Sequence, residues 1–141
     1  MRKAQGTILD SGVYEGLAAF RYALRRFLAF SEAATKAAGV TSQQYQALLV
    51  IRAHPGEAIM MRTVAEQMLV QHHSAVQMID RLARAQLVER RDSPSDRRSV
   101  LVALTARGAK LLQHLASEHL AELRRQEPLL VESLERLRRV R

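Results

Sequence analysis

The 141-residue sequence predicts a mainly α-helical protein. A helix-turn-helix with a small antiparallel β-wing stands at its centre, between long N- and C-terminal helices. Three observations predict it. Residues 61–104 read as helix, turn, helix, strand, charged loop, strand. The second of those helices, roughly 72–85, has two unlike faces. Ala75, Met78, Ile79 and Leu82 recur at the spacing of a buried stripe, while His73, Ser74, Gln77, Arg81 and Arg84 fall opposite, with His72 at the start. Two β-rich runs, LVERR (87–91) and SVLVAL (99–104), then enclose the loop DSPSDRR, which ends in adjacent arginines.

The elements follow in order. Residues 1–10 are polar and predict a frayed end. From Ser11 to Ala38 a long helix is expected, with Val13, Leu17, Phe20, Leu24, Phe27 and Leu28 in steps of three and four; Tyr22 and Phe30 lie off that stripe. So wide an apolar surface predicts packing against a second chain. Gly39 ends the helix. Thr41 and Gln44 form a capping box for a helix to about Ala53, along which lie Tyr45, Leu48, Leu49 and Arg52; His54-Pro55-Gly56 stops it. Residues 57–60 suit a short strand that pairs with the hairpin. A helix over about 62–68 turns Val64, Ala65 and Met68 inward. Leu69-Val70-Gln71 makes the turn, with Gln71 or His72 at the cap position of the next helix, neither a favoured cap type.

Past the hairpin, Thr105 caps a helix with Leu111, Leu112, Leu115, Leu120 and Leu123 on one side. Pro128 is expected to interrupt it, leaving a last helix over 129–139 with Leu130, Leu134 and Leu137. The domain reading is one structural domain in three regions: a dimerisation helix in 1–38, the reading module in 39–104, and closing dimerisation helices in 105–141.

Composition narrows the function classes. Twenty-two basic residues against 14 acidic ones give a net charge of +8, which favours a polyanionic partner, nucleic acid before an anionic membrane surface. Lysine occurs only at Lys3, Lys36 and Lys110; the other basic residues are arginines, whose forks bind phosphates and base edges bidentately. The absence of cysteine excludes disulfides and thiolate metal sites. No apolar run approaches the 18 residues of a membrane span and no signal-peptide core is present, so the expected location is the cytoplasm. No P-loop, GxSxG, HExxH or GxGxxG motif occurs, and an enzyme is not expected.

The motifs carry a family resemblance. Ile79-Asp80-Arg81-Leu82, Leu87 to Arg91, Asp92 with Asp96-Arg97-Arg98, and Leu104-Thr105-Ala106-Arg107-Gly108 resemble the MarR-type transcription regulators of bacteria. The likeness covers nearly the whole chain, and the wing motif is its specific part. It implies a winged helix-turn-helix homodimer on a pseudo-palindromic operator, usually a repressor released by a small aromatic or anionic effector. It departs from the family's habit in the turn, where Gly and a Ser cap are common and Leu69 and Gln71 stand here.

Residue roles follow from chemistry. The helix at 72–85 would enter a major groove, where Gln77 suits adenine N6 and N7 while Gln71, His72, His73 and Ser74 suit bases or phosphates. Arg81 and Arg84 would meet phosphates, which position without specifying. Arg97 at the wing tip suits a narrow minor groove, with Asp96 orienting its guanidinium; Arg90, Arg91 and Arg98 would meet phosphates or charge the strand face. For an effector, Tyr14, Arg21, Tyr22, Phe27, Tyr45 and His54 lie on segments that the resemblance assigns to a ligand crevice; aromatic residues in long helices are more often core. A metal is not expected: His72 and His73 diverge by roughly 100° on a helix, and His114 and His119 are five apart rather than four. No cofactor is expected. A metal-responsive regulator and a nonspecific architectural DNA-binding protein are the alternatives.

Overall fold

The computed structural model describes residues 8–96 and 98–140. Their elements are α1 (Ser11–Ala37), α2 (Ser42–Ala53), β1 (Ile59–Met60), α3 (Met61–Met68), α4 (His72–Arg84), β2 (Val88–Asp92), β3 (Val100–Leu104) and α5 (Ala106–Arg139). The chain packs as two units. One joins the stretch up to Ser31 with that from His119 onward; the other is Glu32–Glu118.

The central unit has one core. Tyr45, Leu48 and Ile51 of α2, Val64 and Ala65 of α3, and Leu82 of α4 meet Val88 and Val102 of the sheet and Leu112 and Leu115 of α5. The stripe expected on α4 is the one observed: Ala75, Met78, Ile79 and Leu82 are its buried residues. The sheet is antiparallel in the order β1-β3-β2. Val88 pairs with Leu104 and Asp92 with Val100, which fixes the wing's register. Residues 59–60 pair with Val102 and Leu101 as a short third strand.

Local chemistry sets the joints between these elements. Thr41 and Gln44 form the expected capping box: the Gln44 N–H donates to Thr41 Oγ1 and the Thr41 N–H to Gln44 Oε1, both at 3.0 Å. Thr41→Ala should cost about 1 kcal/mol in urea unfolding, the usual worth of such a cap. The turn from α3 to α4 closes through Leu69, whose φ of 55° and ψ of 40° are left-handed. Gln71 takes the N-cap position of α4 and makes no side-chain cap bond. After β3, Thr105 Oγ1 donates to Gln86 O (2.7 Å) and accepts the Gly108 N–H (3.0 Å), tying the start of α5 to the end of α4.

The terminal unit packs α1 residues against the second half of α5. Gly16 lies under Leu137, whose Cδ2 is 2.8 Å from where a Cβ would stand. Buried His119 meets the Ser31 hydroxyl at 2.8 Å, with the rings of Phe27 and Phe30 edge-on to it. Buried Gln126 donates to Glu122 Oε1 (2.8 Å), and Arg125 reaches Glu122 Oε2. Those two partners, Gln126 first, hold the Glu122 carboxyl below the usual carboxylate range.

The break expected at Pro128 is absent: α5 is continuous and carries the proline inside it, so the two closing helices are one. A proline ring sets φ near the helical value; its cost is a missing N–H and crowding of the turn before it. Pro128 and Arg124 are both exposed. The carbonyl left without a donor there is open to water. Downstream, Ser133 is 1% exposed and Leu137 covers Gly16, so packing continues beyond the proline and holds the helix together.

Candidate nucleic-acid interface

Within the central unit, α4 offers its polar face outward. Gln71, His72, His73, Gln77, Arg81 and Arg84 are exposed and Ser74 is half-buried. This follows from the sequence: with one face given to the core, residues spaced between the stripe positions must point away. Recesses flank the helix on two sides.

The first recess, about 250 Å³, lies between the start of α4 and the wing. Arg62, His72, Arg90 and Arg98 line it, over Met60, Met61, Val76 and Val100. The second, about 600 Å³, lies between α4 and the first turn of α2. Thr41, Ser42, Gln43 and Gln44 line it opposite Ser74, Gln77 and Arg81. The first turn of α2 carries backbone N–H groups that an anion can accept, and the helix dipole favours negative charge there.

The wing's charges divide by partner. Arg90 pairs with Asp80 of α4 at 2.9 Å, a bridge that ties strand to helix. Arg91 lies against Glu89, with Glu57 at 3.9 Å. All three are exposed ion pairs and contribute little stability, on the order of 0–1 kcal/mol each. Arg62, Arg81, Arg84 and Arg98 pair with no carboxylate among the described residues, so their charge stays available. The Asp96 carboxylate accepts the Arg98 N–H at 2.9 Å and the Ser99 hydroxyl at 3.1 Å, so it shapes the loop's own backbone; the pairing expected with Arg97 falls outside the described residues. Arg97, the expected minor-groove contact, lies outside the described residues.

Arg62 is the residue sequence reasoning missed. It stands at the second position of α3, where a lone exposed arginine carries no signal. Only the pairing of β1 with β3, which precedes α3 directly, brings it to the wing side of α4.

The residues expected around an effector are scattered. Tyr14, Arg21 and Tyr22 are exposed on α1 in the terminal unit. Phe27 lies on the same helix and packs on His119. Tyr45 is 6% exposed in the core of the central unit, and burial raises its phenol above the ordinary value. His54 caps the far end of α2, beside Leu49, Pro55 and Thr63. A separate recess of about 480 Å³ has a floor of Val40, Leu82, Leu87 and Leu111 and a rim of Gln44, Arg107, Lys110 and His114. Among the described residues no group of three or more His, Asp or Glu is placed to hold a metal ion, and no helix is long and apolar enough to cross a membrane.

Known proteins resemble this chain in sequence and fold. The family model described as the MarR family matches residues 38–99. YhbI of Bacillus subtilis (strain 168), an uncharacterized HTH-type transcriptional regulator, is 32% identical over 80 residues, 57% of this chain and 51% of its own. The chain thus spans about half the length of the curated relative it matches. The crystal structure of AbsC, a MarR family transcriptional regulator from Streptomyces coelicolor, superposes with a TM-score of 0.69 at 26% identity, over 74% of this chain and 71% of that one. RV1404 from Mycobacterium tuberculosis does so with a TM-score of 0.68 at 29% identity, over 77% of this chain and 74% of that one.

Proposed function

We propose that the chain is a transcriptional regulator of the MarR family, whose model matches residues 38–99, and that it binds a specific double-stranded DNA operator as a homodimer and represses transcription. The observation that carries the reading is the polar face of α4, exposed between two recesses and flanked by arginines that pair with no carboxylate among the described residues. Such a helix fits the major groove, and the arginines beside it suit the phosphates that fix its register.

Dimerisation is supported by the apolar surface left exposed on the terminal unit. Tyr14, Leu17, Leu28, Leu120, Leu123 and Leu134 are all more than 40% exposed. A second copy would cover them and set two α4 helices about one turn of B-form DNA apart, roughly 34 Å. The operator would then be pseudo-palindromic. A small aromatic or anionic effector would act by changing that spacing, since both half-sites must be met together. The recess rimmed by Arg107 and Lys110 has the charge for an anionic one.

Selection from a random-sequence duplex pool tests the reading, followed by footprinting. Recovery of an inverted repeat with half-sites about 10 base pairs apart is expected. Binding without a preferred site would replace a regulator with an architectural protein. On the recovered duplex, Gln77→Ala should lose roughly 5- to 150-fold in affinity per half-site, the span of a bidentate base contact, and lose little on scrambled DNA. Equal losses on both would remove Gln77 from base reading.

A further inference from the structure

We propose that Leu69 is an apolar contact to DNA, packing on thymine methyl or deoxyribose surface at the entrance of the groove. The inference rests on the DNA-binding reading above and names a residue beyond the polar face. Two observations carry it. First, Leu69 is 93% exposed, so it contributes almost no packing to its own chain. Second, it occupies the left-handed region, with φ 55°, where a β-carbon crowds the backbone.

The turn itself requires that conformation. The Leu69 N–H reaches Ala65 O and Glu66 O, and the Val70 N–H donates to Ala65 O at 3.1 Å, which closes α3. Glycine or asparagine meets the same need at lower cost. A leucine there therefore raises the energy of the turn and exposes apolar surface, and the isolated chain gains nothing in return. Local strain of this kind is held in place by the surrounding structure and clusters where a ligand or partner is met.

Position decides what that something is. Leu69 stands two residues before Gln71, the first residue of α4's exposed polar run, and next to Val70, which lines the recess with Ser74 and Gln77. Its surroundings are the surface offered to the duplex. On a duplex, the apolar features within reach of a helix N-terminus are the thymine C5-methyl group in the major groove and the sugar edges beside it.

The test uses the full chain and the duplex recovered from the random pool. Leu69→Gly and Leu69→Asn both suit the left-handed turn, so thermal unfolding should shift upward or stay level. Affinity should fall roughly fivefold per half-site, the worth of burying one or two carbons. Leu69→Met should keep most of the affinity. The slope of affinity against salt should not change, because no phosphate charge is lost. Replacing thymine by deoxyuridine at each half-site position separates the two apolar surfaces. A loss seen with the parent and absent in Leu69→Gly assigns the methyl; no loss at any position assigns the sugar. Parent-like affinity in both Leu69→Gly and Leu69→Asn overturns the inference while the DNA-binding reading stands. Loss in Leu69→Gly alone overturns it too, since that marks turn flexibility. A parent chain that binds no duplex at all overturns the reading first, and this inference with it.

Discussion

Replacing Gly108 by alanine is expected to cost on the order of 3 kcal/mol or more, the largest stability loss of any single methyl added to this chain. A β-carbon there would sit 1.9 Å from the Leu87 carbonyl oxygen and 2.8 Å from its carbonyl carbon. The obstacle is backbone, so no rotamer change relieves it. That same oxygen accepts the Thr105 N–H at 3.1 Å, and the Thr105 hydroxyl bridges Gln86 O and the Gly108 N–H. Moving α5 outward to admit the methyl breaks this junction and lifts Leu112 and Leu115 from the core. Overpacking alone typically costs 1–3 kcal/mol, and a lost cap adds about 1. In a protein with 5–15 kcal/mol in hand, that is a large share. Thermal unfolding should fall by roughly 10 °C, since 1 kcal/mol moves a domain of this size by about 3 °C. Gly39→Ala is the comparison. Its φ of 81° strains a β-carbon, yet nothing lies within 4 Å, so roughly 1 kcal/mol is expected. If both substitutions cost the same, steric contact at Leu87 is not what demands glycine at 108.

That contrast shows where sequence reasoning reaches and where it stops. The Leu-Thr-x-x-Gly run was readable as a strand end and a cap, because Thr at an N-cap is a local signal. The reason for its glycine was not readable, since Leu87 lies 21 positions away and only the hairpin brings it there. The two faces of α4 were legible for the opposite reason: burial at 3.6-residue period is written in adjacent residues. Pro128 misled because propensity favours a break, and side chains at Ser133 and Leu137 outweigh it. The interface was half visible. Residues on α4 and the wing announce themselves by pattern, whereas Arg62 joins the candidate surface only through strand pairing, and the proposed Leu69 contact shows only in its exposure and backbone angle.

The largest expected effect on DNA binding comes from removing Arg62 and Arg98 together. Both line the recess between α4 and the wing, and neither has a carboxylate partner among the described residues. Arg90 shares the recess but spends its charge on Asp80 at 2.9 Å, so its removal should matter less for DNA than its nearness suggests. Each arginine that neutralises a phosphate releases counterions, and the logarithm of affinity then falls with the logarithm of salt by about 0.9 per contact. A homodimer carries each change twice. Arg62→Ala with Arg98→Ala should therefore flatten the slope by roughly 3 to 4 and lower affinity by about 100-fold or more at moderate salt. The loss should be similar on selected and scrambled duplexes, because phosphates carry no sequence. Folding should be unaffected, as both side chains are exposed and unpaired. Fluorescence titrations across a salt series decide the matter. A parent-like slope would mean that this recess does not touch the backbone. A lower affinity confined to the selected duplex would instead make these arginines base readers, and would move the sequence-reading surface from the middle of α4 toward the wing.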